Sequence, residues 1–306
     1  MNKRVIISII VAAIYDLGFS VQPAQAQLMM YWTDDGSDKI QRANLDGTGV
    51  TDLVTTGLSG PLGLAIGAAS GKMYWTDWNT DKIQRANLNG TGVEDLITSL
   101  HLPYDIALDV AGGKIYWTSE DTDRIQRANL DGSAMEVLVT GPVVPASSPF
   151  SIALELTSGQ MYWADPLSGK IKRSNLDGTD VVELITMGLD DLTNIALDVV
   201  GDKMYWADKG TDKIQRANLD GSGVEDIITG LTYPAGIALD IPGGKIYWTD
   251  FYNDKIQRAN LDGSNVEDLI TTGLSGPYAI TLGPIPEPAT ILLLGVGGLL
   301  LIRKIR

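Results

Sequence analysis

Apolar and polar residues alternate along this chain in a pattern that recurs six times. Each copy contains a tetrapeptide beginning Tyr-Trp, followed some eight residues later by a run such as KIQRANLDG. Successive copies are 43, 42, 46, 43 and 42 residues apart. Alternation with a period of two predicts β-strands, and a repeat of about 40–45 residues is typical of one four-stranded propeller blade. The copies begin at Tyr31, Tyr74, Tyr116, Tyr162, Tyr205 and Tyr247.

The third copy illustrates how four strands fit into one repeat. The alternation predicts an inner strand at 106–109, a second strand at 114–118, a third at 124–130 and an outer one at 137–140. Between the last two strands, Asp131-Gly132 is expected to supply the positive φ angles of a tight hairpin.

The first and last repeats are each incomplete, and they complement one another. The first begins directly at its second strand, whereas residues 278–282 match an inner strand that has no blade after it. Pairing these two segments closes the ring and removes an exposed sheet edge. The sequence therefore predicts an all-β, six-bladed β-propeller over residues 27–283. Its blades are four-stranded and antiparallel, and the C-terminal strand completes the N-terminal blade.

Both faces of each strand must be packed, because neighbouring blades stack on each other. The repeated Trp of the second strand is therefore predicted to be core rather than a ligand platform. A repeated Arg on the third strand, such as Arg85, needs a partner. The Asp that ends the second strand, such as Asp77, is expected to pair with it, with the aromatic ring as a further partner. The third repeat lacks that Asp, so Arg127 is expected to turn to Glu120 or Asp121.

The tetrapeptides share a sequence that points to a known family. They read YWTD, YWTD, YWTS, YWAD, YWAD and YWTD. Over residues 28–283 the repeat closely resembles the YWTD (class B) repeats of the low-density lipoprotein receptor family, which implies a six-bladed propeller. Propellers of those receptors are flanked by cysteine-rich modules. This chain contains no cysteine, so the endocytic function of the receptors is not expected here.

Both ends of the chain have the composition of targeting segments. Two basic residues precede a short apolar run, and Ala24-Gln25-Ala26 offers a cleavage site. Residues 1–26 are therefore predicted to be a secretory signal removed by signal peptidase. Residues 284–306 combine a proline-flanked acid, an apolar segment at 289–302 and a basic end. This segment is short for a stable span, but its basic end would stay cytoplasmic and tether the propeller outside.

The three-part tail resembles the PEP-CTERM sorting signal of Gram-negative bacteria. The resemblance covers the motif Pro286-Glu287-Pro288, the apolar segment and the basic end. It implies processing by an exosortase-type membrane protease near the motif. It also implies a location in the cell envelope or extracellular matrix of a bacterium that makes exopolysaccharide. An ordinary C-terminal membrane anchor is the alternative.

Composition narrows the classes of function. The net charge of −15 repels nucleic acid and anionic lipid. With no cysteine and a single histidine, His101, the chain has little scope for thiolate metal sites, cysteine nucleophiles or histidine proton shuttles. Acidic clusters such as Asp34, Asp35 and Asp38 lack the ordered oxygen-ligand loop of a calcium motif. No cofactor and no metal site are expected.

Variation among the repeats is concentrated at one end of the predicted ring. Loops between the second and third strands differ in every blade, and the crossovers between blades reach the same end. Variable loops on a rigid scaffold commonly form binding sites. Aromatic side chains there would suit a sugar, a proline-containing peptide or a cationic segment, or would instead cover the packing of the crossovers. The candidate binding residues are Trp78, Tyr104, Phe150, Phe251, Tyr252 and Tyr278.

Three classes of function remain open. The leading hypothesis is an exported protein- or glycan-binding scaffold that recognises an envelope protein or an exopolysaccharide. A propeller enzyme of lactonase-like or lyase-like type would need inward-facing acids, histidines or metal ligands that differ between blades. The third class is a purely structural matrix protein. The polar positions of the inner strands largely repeat, which favours a non-enzymatic role, and they are Asp109, Glu155, Asp198 and Asp240.

Overall fold

The computed structural model describes residues 27–120, 122–140 and 148–286. Within these residues the chain forms six four-stranded sheets and one 3₁₀ helix, Ala68–Ser70. Neighbouring strands of each sheet are antiparallel. The predicted all-β, six-bladed propeller is therefore confirmed.

The strands follow one another in chain order, and each blade is filled from its inner to its outer strand. Blade 1 begins with β1 (Leu28–Asp34), β2 (Lys39–Asn44) and β3 (Thr51–Val54). Blade 2 contains β4 (Pro61–Gly67), β5 (Lys72–Asp77), β6 (Lys82–Asn87) and β7 (Glu94–Ile97). Blade 3 contains β8 (Pro103–Asp109), β9 (Lys114–Ser119), β10 (Arg124–Asn129) and β11 (Glu136–Thr140). Blade 4 contains β12 (Ile152–Glu155), β13 (Gln160–Asp165), β14 (Lys170–Asn175) and β15 (Val182–Ile185). Blade 5 contains β16 (Leu192–Asp198), β17 (Lys203–Asp208), β18 (Lys213–Asn218) and β19 (Glu225–Thr229). Blade 6 contains β20 (Pro234–Asp240), β21 (Lys245–Asp250), β22 (Lys255–Asn260) and β23 (Glu267–Ile270), and β24 (Pro277–Pro284) returns to blade 1.

The last strand closes the ring as predicted. β24 is the inner strand of blade 1 and pairs antiparallel with β1. Met30 lies opposite Leu282, and Trp32 lies opposite Ile280. This pairing satisfies the backbone groups of β1 that would otherwise form an exposed edge.

The two ends of the ring differ in the segments that they carry. One end, the turn face, carries the hairpins between third and outer strands, such as the one at Gly132, and the turns between inner and second strands. The other end, the loop face, carries the loops between second and third strands and the crossovers. The N–H of Ile285 donates to the carbonyl oxygen of Gln27 at 3.1 Å. Both described ends of the chain therefore lie side by side on the turn face.

Aromatic side chains of the second strands fill the space between blades. Trp75 of blade 2 packs with Tyr31 and Met29 of blade 1 in one buried cluster, and matching clusters join the other blades. All six repeated tryptophans are at most 2% exposed. The prediction that they form the core is confirmed. Burying one such side chain stabilises the fold by roughly 4–6 kcal/mol as an upper bound.

The repeated arginines do not pair with the acids that end the second strands, so that prediction is wrong. Arg85 lies opposite Tyr74, and this position points to the opposite face of the sheet from Asp77. Arg85 Nε instead donates to Glu94 Oε1 in the outer strand at 2.7 Å, and its Nη1 donates to the carbonyl oxygen of Leu130 in blade 3 at 2.9 Å. The guanidinium thus ties one blade to the hairpin of the next.

Arg127 follows the same pattern in blade 3, not the predicted pairing with Glu120, and Asp121, the other predicted partner, lies outside the described residues. Its Nε donates to Glu136 Oε1 at 2.8 Å. Its guanidinium carbon lies 5.6 Å from the centre of the Tyr116 ring, so the predicted aromatic partner is confirmed.

The buried acids at the ends of the second strands organise the loop face instead. Asp77 Oδ1 accepts the Thr80 hydroxyl at 2.6 Å, and Oδ2 accepts the N–H of Ser59 at 2.9 Å. Asp34 and Asp208 likewise accept bonds from their own loop and from a crossover. Burial raises the pKa of all three carboxyls, although these hydrogen bonds oppose it. In these three blades the loop is therefore fastened to the crossover beside it.

The predicted hairpin role of the Asp-Gly pairs is confirmed for glycine and wrong for aspartate. Gly132 has φ +82°, whereas Asp131 is not among the residues with positive φ. Asp131 Oδ1 instead accepts the Ser133 hydroxyl at 2.6 Å. A Cβ at Gly132 would lie 2.5 Å from the carbonyl oxygen of Leu96 in blade 2. The glycine therefore also lets each hairpin approach the preceding blade.

The predicted targeting segments 1–26 and 289–302 lie outside the described residues, as do Glu287 and Pro288 of the predicted sorting motif. In the part of the chain that the structure describes, no helix has the length and apolar character needed to cross a membrane.

Candidate functional site

Side chains at the start of the inner strands close the ring at the loop face. Tyr104 and Tyr278 are each 8% exposed, and their hydroxyl groups hydrogen-bond to each other. Leu62 and Ala235, from two further inner strands, are buried in the same cluster. Burial raises the pKa of both tyrosines well above the ordinary value, so both hydroxyls remain protonated. These two predicted candidates thus form the floor of the face rather than its surface.

The other predicted aromatic residues extend this floor towards solvent. The Phe150 ring lies 4.2 Å from Tyr104, and the Phe251 ring lies 5.9 Å from Tyr278. Tyr252 lies 5.5 Å from Phe251 and is 67% exposed. Trp78 also packs against the cluster. The structure therefore brings all six candidates together, and Tyr252 is the one that projects most into solvent.

Tyr233 joins these residues and was missed by the sequence analysis. Its ring lies 4.7 Å from Tyr252 and 5.1 Å from Phe251. It directly precedes Pro234, which begins β20. An aromatic residue immediately before a proline-led inner strand was the signal available, because that position also lies on the loop face.

Charged groups surround the exposed end of the aromatic cluster. Lys209 Nζ lies 4.8 Å from the centre of the Tyr233 ring, donates to the Tyr233 hydroxyl at 2.9 Å and pairs with Asp191 at 3.1 Å. Burial opposes its charge, but the tyrosine and the acid raise the pKa of Lys209 overall. Trp78 Nε1 donates to Glu120 at 3.2 Å. An open cavity of about 330 Å³ adjoins, and its lining is Glu120, Ser148, Phe150, Pro166, Leu167, Asp190 and Asp191.

Three polar side chains, here called the polar arc, lie in consecutive blades, one residue after the position that Tyr104 occupies in blade 3 and Phe150 in blade 4. Asp105, Ser151 and Asn194 occupy equivalent positions in blades 3, 4 and 5. Asn194 Nδ2 also donates to Ser151 Oγ at 3.0 Å. The three arc side chains accept the N–H groups of Ile152, Ile195 and Ile237 respectively, each in the inner strand of the next blade, at 2.9–3.0 Å. The polar arc thus joins blades 3, 4, 5 and 6.

The Asp105 carboxyl gives the arc a pH dependence. Desolvation by burial raises its pKa to about 6, although hydrogen bonds from Ile152, Ile106 and Ser151 oppose the shift. In the unfolded chain the pKa of Asp is about 3.9. The folded state therefore binds more protons between these two values, and the stability that Asp105 contributes is lost as the pH rises from about 4 to about 6.

We expect the Asp105→Asn variant to lose this pH dependence. The free energy of unfolding of the wild type, relative to the variant, should fall by roughly 2 kcal/mol between about pH 4 and pH 6.5, and change little above. Denaturant unfolding of both proteins across this range measures the difference, in which the other carboxyls cancel. A difference that does not change with pH would contradict the assignment.

The inner-strand acids that repeat between blades have a structural role. Asp109 Oδ1 accepts the N–H of Gly112 at 2.7 Å, and Asp198 and Asp240 cap equivalent turns. These acids lie on the turn face. His101 is exposed in a crossover on the loop face. Among the described residues, no group of three or more His, Asp or Glu side chains is placed to hold a metal ion.

Comparison with known proteins identifies the repeat. The family model named low-density lipoprotein receptor repeat class B matches residues 71–110, 202–241 and 244–282. The chain therefore carries class B (YWTD) repeats in a six-bladed β-propeller. A search of curated proteins found no match.

Three solved structures share the propeller fold. A chain in the crystal structure of a nidogen/laminin complex is 25% identical, with a TM-score of 0.77, over 85% of this chain and 100% of that one. A protein of unknown function from Bacteroides thetaiotaomicron is 14% identical, with a TM-score of 0.64, over 83% and 70% of the two chains. Virginiamycin B lyase from Staphylococcus aureus is 18% identical, with a TM-score of 0.56, over 72% and 73%. The last two similarities concern the fold alone, and one of them is to an enzyme, so the fold does not decide between binding and catalysis.

Proposed function

We propose that this propeller is a non-enzymatic protein-binding module that works outside the cytoplasm and binds its partner with the loop face. The observation that carries the proposal is the connected aromatic cluster, whose buried part holds Tyr252 and Tyr233 at the surface. A platform that is rigid before binding loses little conformational entropy on association. The similarity to a propeller in a nidogen/laminin complex supports the same class of function.

The chemistry of the loop face favours a protein segment that combines apolar and basic residues. Tyrosine rings offer apolar contact area with few rotatable bonds, and their faces attract cations. Acids such as Asp190, Asp191 and Glu120 lie on the same face, and the whole chain has a net charge of −15. Such a field speeds the approach of a basic partner and makes binding sensitive to salt. A glycan that stacks on the tyrosines is the other ligand class that this surface would suit.

The targeting part of the proposal rests on the terminal sequences. Residues 1–26 would direct export, and residues 284–306 would hold the propeller at the membrane. An exosortase-type protease would then act near Pro286-Glu287-Pro288. The mature protein would work in the cell envelope or extracellular matrix of a Gram-negative bacterium.

We expect the Tyr252→Ala variant to lose most of the binding. Residues 27–286 should bind, saturably and in a salt-sensitive way, to members of an array of envelope peptides and bacterial glycans. Losing an exposed aromatic anchor should weaken the affinity about ten-fold or more. Tyr252 is the right position because it is largely exposed, whereas truncating the buried Tyr104 would open a cavity in the floor.

A matched control separates surface recognition from general effects of substitution. Val200→Ala changes a residue that is 93% exposed on the turn face of blade 5, and it should leave the affinity unchanged. Equal affinities of the wild type and Tyr252→Ala would contradict the proposed surface. An absence of binding by the wild type would favour the purely structural role, and binding confined to glycans would replace the protein partner.

A further inference from the structure

The turn face is acidic around most of the ring, but two adjacent blades break the pattern. In blades 3 to 6 the inner strand ends in an acid, as at Asp109 and Asp198. The equivalent residues are Gly67 in blade 2 and Gly283 in blade 1, opposite Lys72 and Met29 respectively. The charge that four blades place at the turn face is therefore missing from this sector.

The hairpin of blade 2 lacks a second acid that the other blades share. Asn89 stands where the other five hairpins have aspartate. Its Oδ1 accepts the N–H and hydroxyl of Thr91 at 3.1 and 2.6 Å, as the aspartates do with their own hairpins. The turn therefore does not require the carboxylate charge. The five aspartates are Asp46, Asp131, Asp177, Asp220 and Asp262.

Asn89, and the residues that directly follow Gly67 and Gly283, line one cavity of about 560 Å³ on the turn face. Its described lining consists of 68–71, 87–89 and 284–286, and contains no charged side chain. Ile285 is an exposed apolar residue there. We refer to these lining residues together with Lys72 as the neutral sector.

Lys72 gives the neutral sector a positive edge. In blades 3, 5 and 6 the lysine that begins the second strand lies opposite the inner-strand acid, as Lys114 lies opposite Asp109. Lys72 lies opposite Gly67 instead. Its ammonium therefore has no carboxylate opposite it at that register position. With Arg85 as the larger cause, Lys72 helps to lower the pKa of the exposed Glu94 in the outer strand, and its charge can also attract an anionic group from outside.

The chain leaves the propeller through the neutral sector. The Tyr31 hydroxyl donates to the carbonyl oxygen of Pro284 at 2.9 Å and fixes this exit. Only residues 285–288 separate β24 from the apolar segment predicted at 289–302. Four extended residues span at most about 14 Å. If that segment is held in a bilayer, the neutral sector is the part of the propeller nearest to it.

We propose that the neutral sector docks on the lipid headgroup surface while the tail is anchored, with Lys72 beside the lipid phosphates. This inference rests on the tail anchoring included in the proposed function. The turn-face acids of blades 3 to 6 are repelled by anionic lipid, so the propeller is tilted with blades 1 and 2 nearest the membrane. The second strands, six or seven residues long, then raise the loop face to roughly 20 Å above the surface. Docking on the turn face leaves the loop face free for its partner.

The absence of cysteine makes the docking orientation measurable. Residues 27–306 with one fluorophore-labelled cysteine are reconstituted into phosphatidylcholine/phosphatidylglycerol vesicles that carry a headgroup-linked quencher. The labelled positions are Ala69→Cys in the neutral sector, Val200→Cys on the turn face of blade 5 and Met187→Cys, 84% exposed in a loop-face crossover. Quenching should be several-fold stronger at position 69 than at the other two.

A charge variant tests the cause of the orientation. Lys72→Gln combined with Asn89→Asp places the acid of the other hairpins in the neutral sector, and should reduce quenching at position 69 to the level at position 200. Lys203→Gln, the matched change in blade 5, should leave quenching at position 69 unchanged. Circular dichroism checks that each variant keeps the fold.

The docking would be overturned by equal quenching at all three positions, by strongest quenching at position 187, or by no response to the double variant. Weak quenching at position 69 in vesicle-bound protein would indicate that the tail folds back into the cavity, and would also contradict the proposed docking. A chain that stays in the aqueous phase would instead contradict the anchoring itself, so the two failures are distinguishable.

Discussion

A chain that ends at Gly276 is expected to lose its cooperative unfolding transition. Such a chain lacks β24, so the buried strand β1 becomes an open edge with unpaired backbone groups. The buried side chains of Tyr278, Ala279 and Ile280 are lost as well. Large buried side chains contribute about 2–5 kcal/mol each, and a typical domain is stable by only about 5–15 kcal/mol. Calorimetry should show no cooperative transition, and light scattering should show aggregation.

The matched control for this deletion is a chain that ends at Pro286. It keeps β24 and its pairing with β1, so it should unfold in one cooperative transition. A Gly276-terminated chain that still unfolded cooperatively would contradict ring closure as the basis of stability.

The Gly132→Ala substitution is expected to destabilise the propeller by about 3 kcal/mol or more. Gly132 has φ +82°, which costs an L-residue about 1–2 kcal/mol. The added Cβ would also lie 2.5 Å from the backbone oxygen of Leu96, so blades 2 and 3 would have to move apart. The free energy of unfolding, measured by denaturant titration, checks this prediction.

Gly273→Ala isolates the backbone contribution. Gly273 has φ +77°, and a Cβ there would meet no atom within 4 Å. Its substitution should cost only the backbone strain of about 1–2 kcal/mol. Equal losses of stability in the two variants would mean that the close approach between blades contributes nothing.

Most of the fold could be predicted because each repeat contains its own structural signals. The Tyr-Trp spacing indicates the blade length, and the unmatched segment 278–282 indicates how the ring closes. The partner of Arg85 could not be predicted in this way. Alternation within one strand does not reveal which residue lies opposite on the next, and Arg85 pairs across the sheet with Tyr74, away from Asp77.

The sequence predicted which aromatic residues form the candidate site, but not that Tyr104 and Tyr278 are buried beneath the others. The position of Tyr104 and Tyr278 at the start of inner strands indicates that they converge. Their burial depends on distances across the ring between blades 1 and 3, which the period of a repeat does not encode. Asp105 escaped notice for a related reason, because its role depends on contacts with blade 4.

The repeated hydrogen bonds explain how this scaffold tolerates variable loops. Acids such as Asp77 fasten each loop by its ends, so the side chains between can change without loss of the blade. Tyr252 and Lys209 occupy such variable positions in blades 6 and 5. The function proposed for the loop face therefore resides in residues that the fold itself does not require.

Hydrogen–deuterium exchange of residues 27–286, with and without a saturating ligand selected from the array, tests the binding face most directly. We expect slower exchange in the loops at 209–212 and 251–254 and in the crossover at 230–233, with no change in the hairpins at 45–48 and 130–133. Protection of those hairpins, with unchanged exchange in the loops, would contradict it.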